Sequence, residues 1–235
     1  MLNEIKFGSE IEPIRSHLRD AYRRGMDLNQ NCLGVHGTST IALETLIKTG
    51  ILPGWSSSSD SDLWLPQRGD VYFFKPNDYL HYPEGVVSPI EQAESYGASA
   101  EARHRICQKF KLPIRYDEYI EFLVELAPDS EKYKETMDFL LRMGYRSKDI
   151  ERIIKRYRHL KLSQGIVLAF HADVASNFPI TKGDEGWRTE TQENGLPYQF
   201  IYGIVINNKQ RREDLEHLLG LSGFNMLYEI KRRLR

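Results

Sequence analysis

Three observations predict an α+β fold with a largely antiparallel sheet. Short apolar runs, "NCLGVHG", "DVYFFK" and "GIVLAFHADV", are too brief for helices and dense in β-branched and aromatic residues, which marks buried strands. Helical periodicity is confined to other stretches. The order of elements is strand, helix, strand, helix, a helical insert, then consecutive strands, which does not suit a doubly wound parallel sheet.

Along the chain, "IEPIRSHLRDAYRRGM" spaces Ile14, Leu18 and Tyr22 as one helical stripe, with arginines on the other face. The strand ending in His36-Gly37 follows. In "STIALETLIKTGILPG", Ile41, Leu43, Leu46 and Ile47 fall on one side of a short helix, with Ser39 or Thr40 to cap it and Gly50 to stop it. A Ser/Asp-rich loop, 55–63, carries Trp55, with Trp64 beside it. The "DVYFFK" strand leads through a Pro-containing loop to "SPIEQAESYGASAEARHRICQKF", an Ala-rich helix opened by Ser-Pro. Residues 113–163 read as helical throughout, an insertion at about 108–163 within a single domain spanning 1–235. "GIVLAFHADV", "WRTETQ" and "YQFIYGIVIN" then read as strands, before a charged C-terminal segment.

With 40% hydrophobic and 28% charged residues and a net charge of −1, the chain is an ordinary globular one, and no global charge draws it to nucleic acid or membrane. The two cysteines, Cys32 and Cys107, form neither a disulfide framework nor a zinc site by spacing, which favours a reducing compartment. Neither a signal core nor a stretch of about 18 apolar residues occurs. A cytoplasmic protein starting at Met1 is expected, although non-classical export leaves no mark of this kind.

Common catalytic signatures are absent. There is no GxGxxG after a strand, no GxxxxGK[ST], no HExxH and no GxSxG, and the seven histidines are scattered, so no metal is expected. What remains is a set of three features in order. His36-Gly37-Thr38 precedes a helix whose exit reads "KTGILPG". Tyr72 in "RGDVYFF" is followed by Tyr96 in "EQAESYGASA". Glu190 lies in "WRTETQENGLPYQFIYGIVI".

Together these features resemble the ADP-ribosyltransferase fold, in its diphtheria-toxin and poly(ADP-ribose) polymerase branch with the His…Tyr…Glu signature. The resemblance covers roughly residues 30–105 and 164–206. It implies a split antiparallel β-sheet core with flanking helices and cleavage of the nicotinamide–ribose bond of NAD through an oxocarbenium-like centre. By the resemblance, the Gly37 backbone holds the carboxamide, where a glycine lets a ligand come close. His36 bonds the adenosine ribose, and Thr38 is a further contact on the same loop. Tyr72 and Tyr96 sandwich the nicotinamide. Glu190 bonds the ribose 2′-OH and stabilises the cation. The implied activity is a mono-ADP-ribosyltransferase, using NAD as substrate and a protein or nucleic acid as acceptor. A bacterial toxin or effector held by an antitoxin or regulatory protein fits that reading.

Each residue also has an ordinary explanation. His36 suits a turn, Tyr72 a strand core, Tyr96 the inner face of an Ala-rich helix. Glu190 is flanked by Glu185 and Glu193, and a short slip makes Glu193 the catalytic carboxylate instead. The arginine-specific branch carries Arg, Ser-Thr-Ser and a Glu-x-Glu strand, whereas this chain has His in the first position, no Ser-Thr-Ser on a strand and no Glu-x-Glu around Glu190. An RNA 2′-phosphotransferase relative and a non-catalytic NAD- or ADP-ribose-binding module remain the alternatives, and mono- against poly-ADP-ribosylation stays open.

Charge in the insertion is lopsided. Eight acidic and three basic side chains lie between Arg115 and Asp138, against seven basic and two acidic between Arg146 and Lys161. Arg152, Lys155, Arg156, Arg158 and Lys161, with Tyr157 among them, form either a phosphate-contacting, target-binding face or a solvated helix paired with the acidic segment before it.

Overall fold

A computed structural model describes residues 11–25, 31–54, 70–83, 85–110, 123–124, 126–161, 165–183, 186–191, 195–207 and 209–221. The fold is α+β, and all its strand pairs are antiparallel. Strand β1 (Cys32–Thr38) pairs with β6 (Ile166–His171), which pairs with β10 (Ile201–Val205). A second three-stranded sheet runs β3 (Val71–Phe73), β8 (Gly186–Thr189), β7 (Ile180–Gly183). The two sheets meet at one bridge, where Val35 and Phe74 exchange hydrogen bonds of 2.8 and 2.9 Å. Two smaller pairs, β2 (Ile51–Pro53) with β9 (Gly195–Pro197) and β4 (Leu80–Tyr82) with β5 (Gly85–Val87), complete the strands among the described residues.

Side-chain alternation sorts the first sheet into two faces. Leu168, Phe170 and Ile204 enter the main core with Ile14, Leu18 and Ala21 of α1 (Ile11–Arg24) and Leu43, Leu46 and Ile47 of α2 (Thr40–Thr49). On the other face, Val35 and Val167 pack with Phe74 and with Ala93 of α3 (Pro89–Phe110). Helix α2 is capped as its sequence indicates. The Ser39 hydroxyl accepts from the Ala42 N–H at 3.1 Å, and Gly50, at φ 77°, donates its N–H to the Leu46 carbonyl at 2.7 Å. Buried Glu101 of α3 also lies at this helix start. It accepts from the Thr40 N–H and hydroxyl, each at 2.6 Å, and pairs with Arg105, which reaches Asp214 of α7 (Lys209–Leu218).

Helix α3 crosses the sheet at backbone distance, because three glycines remove the intervening side chains. A Cβ on Gly37 of β1 would lie 1.8 Å from the Ala93 carbonyl oxygen. One on Gly97 of α3 would lie 2.9 Å from the Thr38 nitrogen, and one on Gly165, just before β6, 2.5 Å from the Ala98 nitrogen. Gly165 then donates its N–H to the Glu94 carbonyl at 3.2 Å.

The insertion contains α4 (Glu131–Arg142) and α5 (Ser147–Lys161), with turns at 126–130 and 143–146 breaking the continuous helix expected there. Leu123, Leu140, Ile150 and Ile154 form one small core; Ala102, Ile106, Ile153 and Tyr157 form another. Helix α3 thus supplies Ala102 and Ile106 as the base on which α5 packs. Helix α6 (Val174–Asn177), the strands β2, β7 and β9 and the β4–β5 hairpin are not evident in the sequence. Each is only three or four residues long; β2 and β9 are held by pairing distant in the chain, and Pro53 and Pro197 argue locally against those two. Tyr198–Phe200, expected at the start of a strand, form a single 3₁₀ turn before β10. Among the described residues no helix is long and apolar enough to cross a membrane.

Gly37→Ala tests the seating of α3. Overpacking of this kind costs about 1–3 kcal/mol, read as a lower urea midpoint. An unchanged midpoint would mean that α3 does not rest on β1 as described.

Candidate functional site

Register in the second sheet places five polar side chains together. Tyr72 of β3 pairs with Arg188 of β8, which pairs with Thr181 of β7, so all three share one face. Asp70 and Glu190, two residues from Tyr72 and Arg188 respectively, lie on that face by alternation. Arg188 holds the group together. Its guanidinium lies 3.1 Å from Asp70 Oδ2 and 3.8 Å from Glu190 Oε1, and Nε donates to Thr181 Oγ1 at 2.8 Å. Thr181 Oγ1 is 3.5 Å from the same glutamate oxygen. A hydrogen bond with the Tyr72 hydroxyl, then Asp70, raise the affinity of Arg188 for its proton, so it stays a cation.

Glu190 is exposed just beyond β8, and its N–H extends the ladder by donating to the Pro179 carbonyl at 3.0 Å. Tyr72 is 40% exposed and Tyr96 46%, so neither is the core residue that its apolar surroundings would allow.

His36 sits within β1, two residues before its end, not at a strand–loop junction. Its Nδ1 lies 2.6 Å from the Tyr72 carbonyl oxygen and therefore carries the proton donated there. The ring stacks on Phe170, with centroids 5.5 Å apart and planes at 20°. Although the residue is partly open to solvent, burial dominates its titration and lowers the pKa to about 4, against the opposing pull of the Tyr72 carbonyl. At neutral pH the imidazole is uncharged, and Nε2 is left as an acceptor.

Val35 spends both backbone bonds on Phe74, so alternation turns the N–H and C=O of Gly37 toward the same side, and the antiparallel sense of the bridge puts Gly37 on its Tyr72 side. The absent side chain of Gly37 is accounted for by α3, a reason separate from the ligand approach expected of it. Thr38, expected as a contact on the same loop, is 3% exposed and paired with Ile166 inside the sheet, so its hydroxyl is not at the surface. Tyr96 lies between the two α3 positions that meet β1, and its ring is 5.5 Å from that of Phe74, two residues after Tyr72.

A continuous path of direct contacts thus joins the candidates: Tyr96 to Phe74, Phe74 to Val35, His36 to the Tyr72 carbonyl, and Tyr72 through Arg188 to Glu190. Asp70, Thr181 and Arg188 were not singled out in the sequence. Their signal is the two-residue spacing from Tyr72 and Glu190, which becomes informative only once β3, β8 and β7 are known to pair.

The structure does not bring the basic residues of the insertion to this group. Arg152, Lys155, Arg156 and Arg158 are exposed on α5, and Tyr157 among them is fully buried against Ala102, Ile106 and Ile153, so it offers no stacking surface. Glu193, Trp55, Trp64 and the loop 55–63 lie outside the described residues, as does the side chain of Lys161. The described residues contain no group of three His, Cys, Asp or Glu side chains able to hold a metal ion. Compared with known proteins, the chain matches no family model, no curated protein and no solved structure.

The lowered His36 pKa has a pH consequence. Below about 6.5 the unfolded chain takes up this proton and the folded one does not until about 4. The contribution is present above that window and lost as pH falls through it. The ring resonances of His36 should therefore report neutral imidazole down to near pH 4, and His36→Gln should flatten part of the loss of urea stability between pH 6.5 and 4. Titration near the ordinary value of 6.5 would overturn the described environment.

Proposed function

We propose that the chain is an NAD-dependent mono-ADP-ribosyltransferase, with an ADP-ribosyltransferase-like split-sheet core, that transfers ADP-ribose to a macromolecular acceptor. One observation carries the reading. The His, Tyr and Glu singled out by motif order, separated by up to 154 positions between His36 and Glu190, are joined through one strand register and one arginine.

In this reading the edge N–H and C=O of Gly37 pair with the carboxamide of NAD, and the exposed rings of Tyr72 and Tyr96 face the nicotinamide. Nε2 of neutral His36 accepts from a ribose hydroxyl. Glu190 accepts from the 2′-OH of the other ribose. As the C1′–N bond breaks, nicotinamide leaves with the electron pair and positive charge develops at C1′. A fixed carboxylate there is worth more in the transition state than in the ground state. The acceptor's nucleophilic atom then bonds C1′ and gives up its proton. Arg188 serves by holding Glu190 and the Tyr72 hydroxyl in place, and Asp70 by drawing off part of its charge.

Nicotinamide release from labelled NAD, with protein, RNA and DNA pools offered separately, tests this. The wild type should release nicotinamide and label one pool. Glu190→Gln should slow release by roughly a hundredfold or more, the scale of losing one electrostatic contact to the transition state, with the Kd for NAD nearly unchanged. An unaltered rate in that variant would sink the assignment. NAD binding without turnover in the wild type would favour a non-catalytic module. Tyr96→Ala should weaken NAD binding by roughly tenfold, the scale of one aromatic pair, measured by calorimetric titration.

A further inference from the structure

Helix α5 has one side fully used and the other bare. Ile150, Ile153, Ile154 and Tyr157 are all buried in the insertion. Opposite them Lys148, Arg152, Lys155, Arg156, Arg158 and His159 are all exposed. From Lys148 to His159 this row extends for about 16 Å along the helix axis.

Neutralisation by the neighbouring helix, which the sequence allows, does not occur among the described residues. Helix α4 carries Glu131, Glu135 and Asp138 but also Lys132, Lys134 and Arg142, so its charges cancel. Both acids of α5 are engaged close to home. Asp149 lies 2.7 Å from Arg146 and 4.0 Å from Arg152, and Glu151 accepts from Ser147 at 3.3 Å. Among the described residues no carboxylate pairs with Lys155, Arg156 or Arg158.

We propose that this outer face of α5 is a docking surface for a nucleic-acid phosphate backbone, which makes the acceptor of the transferase a nucleic acid. A row of cations running about 15 Å from Lys148 to Arg158 exceeds what a single small anion or phosphorylated side chain can occupy. A strand presenting a phosphate about every 3.4 Å matches it continuously. The alternative polyanion, an acidic membrane surface, is normally held by a helix that also buries an apolar side in lipid. In α5 that side is consumed by the insertion core. With Tyr157 buried, the face offers cations with the His159 imidazole as its one ring among the described side chains, so it grips phosphates chiefly by charge. Its mount is rigid. The same α3 that packs under α5 at Ala102 and Ile106 carries Tyr96, about 9 Å back along the helix from the first and about 15 Å from the second. Nucleic acid held on α5 is thereby kept at a fixed distance from the site.

Only the fate of the bound strand rests on the transferase reading; the docking surface itself does not. Fluorescence anisotropy with labelled single-stranded RNA and DNA, over a range of salt, tests the surface directly. The wild type should bind both with an affinity that falls linearly in log[salt]. In the triple variant Arg152→Gln, Lys155→Gln, Arg156→Gln, affinity should drop by roughly tenfold or more and the salt slope by about 2–3, one increment of about 0.7–0.9 for each lost phosphate contact. Lys132→Gln with Lys134→Gln on α4 should change neither. Circular dichroism checks that the variants are folded, and nicotinamide release to water should be unaffected in the triple variant while labelling of nucleic acid falls. If the wild type fails to bind, if the triple variant binds equally well, or if it loses only binding to phosphatidylserine vesicles, the proposal is overturned. Salt-dependent binding by the face in a protein that never cleaves NAD leaves the surface standing and removes the transferase.

Discussion

The contact on which the rest depends is the crossing of α3 over β1 and β6 at backbone distance. A helix normally stands off a sheet by the width of two layers of side chains. Here Gly37, Gly97 and Gly165 delete those layers at the crossing, and the Gly165 N–H bonds directly to the Glu94 carbonyl. Close-packed interiors transmit such constraints, because atoms in contact leave no slack. With α3 seated, the positions of Tyr96 within the crossing and of Ala102 and Ile106 beyond it follow from helix geometry. One end of α3 thus serves the candidate site and the other carries the insertion.

The same crossing explains why Gly37 is a poor witness on its own. Its lack of a side chain is required by Ala93 whether or not a ligand approaches. The informative property is the direction of its backbone groups, set by the hydrogen bonds that Val35 gives to Phe74. A strand edge left facing outward beside two exposed tyrosines is a better sign of a binding site than a glycine read alone. The neutral, stacked His36 fits it, since an uncharged imidazole can accept from a sugar hydroxyl without an ion's desolvation cost.

Arg188 shows what residue types in order cannot convey. Chain order brings Tyr72 and Glu190 to notice, yet neither has meaning without the other. Pairing of β3 with β8 places Tyr72 opposite Arg188, and alternation returns Glu190 to the same face. A carboxylate beside a cation shared with Asp70 and a tyrosine hydroxyl is positioned by that cation, as the proposed site for a developing positive centre requires. The insertion shows the converse. Tyr157 lies in a basic run and looks available for stacking, but tertiary packing buries it and converts the run into a purely electrostatic face.

Local patterns were enough for the long elements. Helices α1, α2 and α3, strands β1, β6 and β10, the α2 caps and the α+β class all follow from periodicity and from Ser, Gly and Pro chemistry, which act within a few residues. The order His36, Tyr72, Tyr96, Glu190 was legible for the same reason. Tertiary structure alone decided the β2–β9 pair, the burial of Thr38 and Tyr157, and the recruitment of Asp70, Thr181 and Arg188. Each of these depends on a partner far away in the chain, and strand register is settled by the sum of such pairings, to which a single residue's own preference adds little.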